Sequence, residues 1–522
     1  MTRKREPRGS QVSSPRATGI PIALLVALAV PRIVRMLYPE IWVEDDFYAE
    51  SAWLVSQGMR PYLDFVHPHL PLLEWVAAGY LKLFGASHIS IEILNEAAIY
   101  VTSVLTFVLA QRVASRPTAI LAATMYAFSS LTFRYHLYER ECFVAPLAVW
   151  GALVALDDDI DEMRQALMLA AIFLAACAIK LTAAIPFGVI LVFIATVRRR
   201  LVGAIVSGVG FIAALAILSA LLYWRYGFAF IFQVYAFHFL KGRDTTGSVA
   251  WFPTMIFDVL APFFILGCAR VIAERLYTRA LAIVLAIVAA AYLFFGVLSP
   301  TAWGHNYLEP LPFIAIIASL GLKLMLDSVR QLVTAEEVTR SRLAWVIGGG
   351  LLIAICLFWL TPIQNENWLH GSAYGFGFIP REEIDRLGDA VRKASGPDDD
   401  VIAPSFVCFQ ANRRELIRFP ETYGVYREGL AALQSEGFAA ARQQLGRADF
   451  FHLIESTMHY WTDEMKAAIE SGKVNVVVND SPVQLLPLVL VPDELLVKNG
   501  FQPVTETEHF IVWQRATSGN HK

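Results

Sequence analysis

Charge is scarce in this chain. Of its 522 residues only 17% are Asp, Glu, Lys or Arg, against roughly 25% in a soluble domain, while 56% are hydrophobic. Such a composition excludes an ordinary water-soluble globule and implies that a large share of the surface faces lipid. The net charge of −3 provides no basic footprint, so nucleic acid is not an expected partner. Cysteine is sparse as well. The five residues, Cys142, Cys177, Cys268, Cys356 and Cys408, form no CxxC, and four lie in apolar stretches. Neither a thiolate zinc site nor a disulfide framework is signalled, and they read as small apolar fillers. There is also no P-loop, no GxGxxG and no internal repeat, so nothing points to a nucleotide site.

What the chain has instead is long apolar runs. A membrane span needs about 20 mainly apolar residues. By that measure the sequence predicts about eleven helices, near 20–38, 91–111, 118–134, 141–157, 165–180, 183–197, 202–222, 252–269, 280–298, 306–325 and 343–361. The N-terminus is basic and followed by an apolar run. No small-x-small cleavage site precedes Glu44, so the first run is expected to be a retained helix rather than a signal peptide. Lys and Arg cluster in alternate connections: Arg3, Lys4, Arg5 and Arg8, then Arg112 and Arg116, Arg198 to Arg200, Arg270, Arg275 and Arg279, and Arg330, Arg340 and Arg342. The bias of Lys and Arg toward the cytoplasm then predicts a cytoplasmic basic tail over 1–19 and a transmembrane domain over 20–361. Residues 362–522 become a soluble domain outside a plasma (inner) membrane. In that last part charge rises, and β-rich runs such as VIAPSFVCF and KVNVVVND alternate with helical runs such as REEIDRLGDAVRKA, which predicts an α/β domain.

The first connection, 39–90, is neither a span nor a plain linker. It opens on Glu44, Asp45 and Asp46 and continues through WVEDDFYAESAWLVSQGMRPYLDFVHPHLPLLEW, whose amphipathic runs suit helices lying in the interface. Other polar groups return to the same predicted outer face: His67 and His69, then Arg134, His136, Glu139, Arg140 and Glu141, then Lys180. Further along come Arg225, His238, Lys241 and Arg243, and finally His305, Asn306, Tyr307 and Glu309. Ionisable groups at span ends mark sites more often than chance, although such residues also snorkel to water. The acid cluster and the Glu139/Glu141 pair stand out, because paired acids with Arg nearby suit acid/base work and anion binding. Arg32 and Arg35, one turn apart near the end of the first span, are expected to snorkel to headgroups rather than to meet a lipid phosphate. The aromatic run from Tyr223 through Tyr226, Phe230 and Tyr235 to Phe239 suits a stacked sugar or a prenyl chain, and equally an interfacial belt.

Taken together, four stretches resemble the GT-C superfamily of membrane glycosyltransferases, especially the protein O-mannosyltransferases and the bacterial aminoarabinose transferases of lipid A. They are EDDFYAE leading through GMRPYLDFVHPHLPLLEW, the second-loop YERECF, the short turn IKLTAAIP, and HNYLEPLPFIAI before the final domain. The likeness covers about the first 360 residues. It implies a GT-C-like polytopic α-helical membrane protein with a C-terminal extracytoplasmic α/β domain. The implied enzyme moves a sugar from a polyprenyl-phosphate donor to an acceptor hydroxyl on a glycan, lipid or protein, with inversion. The family pair reads Asp-Glu, and here Glu44-Asp45 stand in that register beside Asp46. The catalytic base is therefore one of Glu44, Asp45 and Asp46; Asp45 is preferred because it belongs to the cluster under either one-residue register. Glu139 and Glu141 become second-loop acids. Arg134, Arg140, Lys180, Lys241, Arg243, His305 and Tyr307 become candidates for the donor's phosphate or sugar. No cofactor is implied; clustered carboxylates suit a divalent metal, but nothing requires one. The competing expectations are a transporter or flippase for a lipid-linked glycan and a non-catalytic envelope scaffold. Transporters favour polar groups at mid-membrane, whereas here they gather at one face.

The topology is open to direct test. Asp46→Cys in a cysteine-free background should be labelled in intact cells by a membrane-impermeant thiol reagent. Labelling only from the cytoplasmic side would invert the predicted orientation.

Overall fold

The structure is a computed structural model and describes residues 19–37, 40–42, 46–129, 132, 138–236, 260–276, 278–298, 304–333, 343, 346–350, 378–416, 433, 435, 437, 464–480 and 491–516. The chain enters as α1 (Ile22–Met36), a short strand β1 (Glu40–Trp42), and helices α2 (Asp46–Ser56) and α3 (Leu72–Phe84). A bundle follows: α4 (His88–Val113), α5 (Arg116–Ala127), α6 (Arg140–Leu156), α7 (Glu162–Ile179), α8 (Ala184–Thr196) and α9 (Leu201–Tyr226), then α10 (Ala261–Ala273), α11 (Arg279–Leu293) and α12 (Leu311–Val333). Among the described residues five helical stretches are long and apolar enough to cross a membrane: His88–Val113, Glu162–Ile179, Leu201–Tyr226, Arg279–Leu298 and Leu311–Gln331. Shorter apolar stretches cover Leu181–Thr196 and Ala261–Ala273.

Local chemistry sets the starts of these helices. Ser87, Asp161 and Thr278 cap α4, α7 and α11 by accepting from the backbone N–H of Ser90, Arg164 and Leu281 at 3.2, 2.9 and 3.1 Å, satisfying donors that the helix itself leaves open. The span predicted at 306–325 begins later than its apolar run, and the last one predicted, 343–361, lies mostly outside the described residues. Residues Gly304–Leu308 form a 3-10 turn and α12 opens at Leu311, because Pro310 and Pro312 fit only the first turn of a helix. α9 turns Leu201, Val202, Ile205, Val209, Ile212 and Ile217 outward, as expected where hydrocarbon rather than water is the solvent.

After residue 378 the described chain builds a unit with its own apolar core. Strand β2 (Phe378–Pro380) runs into α13 (Arg381–Ala394), followed by β3 (Asp400–Val401), α14 (Ser405–Ala411), β4 (Arg414–Glu415), β5 (Val476–Asp480), α15 (Asp493–Lys498), β6 (Phe501–Glu506) and β7 (Phe510–Arg515). Helix α13 buries Ile384, Leu387, Gly388 and Val391, a helical stripe that packs with Val401, Val476, Val478 and Val512. β7 lies between β5 and β6, antiparallel to both, and β3 pairs with β4 in parallel. This unit is tied to the membrane part by β2, which pairs antiparallel with β1 in the register Ile41 opposite Ile379.

Helices α10 and α12 approach backbone to backbone. A Cβ on Gly267 would lie 2.0 Å from the Ile317 carbonyl oxygen, and one on Gly321 would lie 2.1 Å from that of Phe263. Small residues at such a crossing give van der Waals contact that lipid cannot match. Gly267→Val or Gly321→Val should therefore lower the detergent-phase melting temperature by an overpacking cost of about 1–3 kcal/mol or more. Gly188→Ala, which meets nothing within 4 Å, should not.

Candidate functional site

A buried ion pair organises the loop end of the bundle. Glu74 sits on the inward stripe of α3 with Leu73, Ala77, Ala78 and Leu81. Its carboxylate receives the Arg140 guanidinium from the first turn of α6 and lies 3.2 Å from His67 Nε2. Arg140 also donates to the carbonyl of Ile179 at 3.3 Å, capping the negative C-terminal end of α7. The Tyr48 ring of α2 lies 4.5 Å from the same guanidinium, and its hydroxyl is 3.2 Å from His69 Nε2. Burial opposes ionisation of Glu74, but Arg140 and then His67 outweigh it and hold the carboxyl at about 2. Burial also pushes the His67 imidazole down, against the pull of Glu74. The loop is stitched further by Gln233, which accepts from the His67 N–H at 2.8 Å and donates to the Tyr62 carbonyl at 3.0 Å.

A second cluster adjoins this one across α6 and the corner after α7. Lys180 Nζ contacts the Glu141 carboxylate and donates to Asn306 Oδ1 at 2.8 Å. The His305 ring spans two acids, with Nδ1 3.5 Å from Glu139 and Nε2 3.6 Å from Glu141, distances of ion pairing rather than of hydrogen bonds. Glu139 takes the Asn95 side chain on its backbone N–H at 3.3 Å. Thr182 donates to Glu309 at 3.3 Å. Glu309 in turn lines an apolar crevice with Ala148, Ile185, Ala291, Phe295 and Phe313. Glu139, Glu141 and His305 offer metal-ligand atoms within 4.8 Å of one another, and so do Glu383, Glu508 and His509 in the C-terminal unit. In the first of these sets the Lys180 ammonium already balances charge at Glu141.

Several residues singled out in the sequence meet here: Glu139, Arg140, Glu141, Lys180 and His305. Of these, Arg140 is 1% exposed and is paired with Glu74. Tyr307 is buried before α12 with its ring 6.0 Å from Tyr292 and 5.7 Å from Phe295. Asp46 opens α2, but its side chain, like Glu44, Asp45, Arg134, Lys241 and Arg243, lies outside the described residues. Arg32 and Arg35 do not snorkel: both are buried, and Arg32 pairs with Glu96 at 3.0 Å while donating to the carbonyls of Ala127 and Thr132. The reason is α4, which presents Glu92 and Glu96 at the same depth and makes pairing available without reaching water. Of the aromatic run, Tyr226 and Phe230 pack edge-on against Tyr62, whereas Trp224 is 86% exposed. Glu74 was not among the predicted site residues, although a carboxylate in register with the apolar stripe LLEWVAAGYL is a readable signal of a buried partner.

This architecture is the GT-C fold of membrane glycosyltransferases. Residues 66–224 match the family model described as dolichyl-phosphate-mannose-protein mannosyltransferase. Over 95% of this chain and 98% of the other, the fold is similar to that of ArnT from Cupriavidus metallidurans bound to undecaprenyl phosphate, with a TM-score of 0.58 and 13% identity. The apo state of the same protein matches with a TM-score of 0.56 and 14% identity over 94% and 97% of the chains. A looser likeness, with a TM-score of 0.47 and 12% identity over 88% of this chain and 69% of the other, is to the archaeal oligosaccharyltransferase AglB from Archaeoglobus fulgidus in complex with an inhibitory peptide and a dolichol-phosphate. No curated protein sequence matches. The resemblance drawn from EDDFYAE, YERECF, IKLTAAIP and HNYLEPLPFIAI therefore holds.

Breaking the ion pair has a defined cost. Glu74→Gln leaves Arg140 buried without its counter-charge and should destabilise the protein by about 3–5 kcal/mol, read as thermal unfolding in detergent. The pH dependence follows the same pair. Because the folded carboxyl is held at about 2, below its ordinary 4.5, its stabilisation is complete above that ordinary value and is lost as pH falls toward the folded one. The acid limb of the wild-type stability curve should accordingly be steeper than that of Glu74→Gln; superimposable acid limbs would contradict the assignment.

Proposed function

We propose that the chain is a glycosyltransferase that moves a sugar from a polyprenyl-phosphate donor to an acceptor hydroxyl at the outer face of the membrane. The observation that carries this reading is the junction of a polar cluster that contains Lys180 and His305 with an apolar crevice. Lys180 and His305 stand at the cluster, and the chain turns directly from the Lys180-Leu181-Thr182 corner into Ile185 and Pro186 of the crevice wall. A phosphate carried on a prenyl chain has that same pairing of an anionic head and an apolar tail. The family model over 66–224 and the fold shared with an undecaprenyl-phosphate-bound protein support the same donor class.

The chemistry then needs no nucleotide site. The acceptor oxygen attacks the anomeric carbon, and the bond from that carbon to the phosphate oxygen breaks. The electron pair leaves with the lipid phosphate, and the acceptor's proton passes to a carboxylate of Glu44, Asp45 or Asp46. One displacement inverts the anomeric carbon. An ammonium has three N–H donors; among the described residues Lys180 uses two of them, on Glu141 and Asn306, and the third serves the phosphate oxygen on which charge develops. Glu139 and Glu141 hold His305 and Lys180 in place for that task.

Purified Glu44→Gln, Asp45→Asn, Asp46→Asn and Lys180→Met variants, each shown to be folded, should be compared with wild type on polyprenyl-phosphate sugars. At least one of the three acid substitutions should lower kcat by about 10²–10⁴-fold, and Lys180→Met should lower kcat/KM by about 10²-fold. Full transfer by all four would overturn the roles given to these residues, absence of transfer by folded wild type on every such donor would overturn the transferase reading, and movement of intact lipid-linked glycan across vesicles without transfer would replace it with transport.

A further inference from the structure

We propose that the C-terminal domain is a positioning element for the loop site, acting through Arg381. Three contacts carry it. First, β2 extends β1 as a strand pair, with Glu40 opposite Pro380 and Trp42 opposite Phe378. Second, Arg381, the next residue along, reaches Glu92 on the first turns of α4 at 2.5 Å, and that carboxylate is only 1% exposed. Third, α14 packs on α2 and on the start of α4: Phe409 joins the apolar core of the membrane part, His88 Nε2 lies 3.2 Å from the Phe406 carbonyl, and the His88 ring stands edge-on to Phe409 at 5.3 Å.

Domains of one chain move relative to each other unless the interface is large and apolar or otherwise fixed. Here a shared strand pair sets register, an apolar plug sets depth, and a buried ion pair fixes the angle, because a buried carboxylate that loses its partner is strongly disfavoured. The domain thus holds β1 on one side and α2 on the other; Glu44 and Asp45 lie between those two elements in the chain, and Asp46 opens α2. α2 also carries Tyr48, which covers the Arg140 guanidinium and meets His69. The position of the C-terminal domain is thereby transmitted to the Glu74–Arg140 pair through α2. Arg32 on Glu96, one turn further along α4 than Glu92, ties the end of α1 to the same helix, so the frame around β1 is closed on both flanks.

Arg381 is therefore a positioning residue for the transferase proposed above, and its role rests on that reading for its kinetic consequence. In Arg381→Ala, kcat should fall by about 10- to 100-fold, the penalty of a small misplacement, while donor KM stays within about twofold. Arg381→Lys, which keeps the charge, should recover most of kcat, and Arg381→Glu with Glu92→Arg should recover part of it. Hydrogen–deuterium exchange over 46–56 should rise by about tenfold in Arg381→Ala, as expected for local loosening, and not in Arg381→Lys. Unchanged exchange over 46–56 overturns the proposal whether or not transfer is measured, and raised exchange with full kcat overturns the positioning role. Raised exchange in a protein whose wild type transfers nothing upholds the mechanical coupling and sinks the transferase reading instead. If Arg381→Ala does not fold, Glu92→Gln against Arg381→Lys decides by the same two readouts.

Discussion

A guanidinium buried at the end of a helix bundle has to be neutralised, and Arg140 is neutralised by one carboxylate, Glu74, that comes from a separate loop. The cost of leaving either charge alone forces four pieces of chain to one point: α3 with Glu74, α6 with Arg140, the end of α7 with the Ile179 carbonyl, and α2 with the Tyr48 ring. Lys180 follows Ile179 directly, and Glu139 and Glu141 flank Arg140. Their meeting is thus a consequence of the pair beside them rather than an independent achievement of packing. Hydrophobic burial along the bundle has no comparable selectivity, because lipid tails are as apolar as the side chains they would replace.

The polar groups are arranged in two layers that do different work. The inner frame of Arg32, Glu92, Glu96 and Arg381 is closed on itself, with each guanidinium committed to a carboxylate. The cluster of Lys180, His305, Glu139 and Glu141 is looser. Its imidazole contacts are long, and Lys180 retains 12% exposure. A closed frame resists deformation, whereas a looser cluster can exchange one partner for a ligand of like charge. The two are linked where Asn95, on the same helix as Glu92 and Glu96, accepts from the Glu139 N–H, so the pliable part is held by the rigid one.

Much of this could be read from the sequence because hydropathy and helix ends are local properties. The apolar runs marked the helices of the bundle, and Pro310 with Pro312 explains why α12 opens later than its run. The short motifs pointed to the fold because the residues that carry them, such as Glu139, Glu141 and Lys180, sit at chain turns where polar residues stand out. What could not be read locally was pairing. Whether Arg32 and Arg35 reach water or a carboxylate depends on what α4 presents at that depth, and that is set by helix packing. The role of Arg140 likewise depended on Glu74, whose own clue lay in its register on an apolar stripe.

The strand pair between β1 and β2 also orders the making of the protein. β1 leaves the ribosome early and is an unpaired edge until Phe378–Pro380 have been synthesised, after every helix of the described bundle. Long-range pairing of this kind forms late, so the β1 end of the acid-bearing first loop acquires its strand partner only when the C-terminal unit has folded beside it. A chain arrested within the bundle would carry its described helices and the Glu74–Arg140 pair yet leave the β1 end of that loop without β2, which delays full assembly of the site to the last stage of biogenesis.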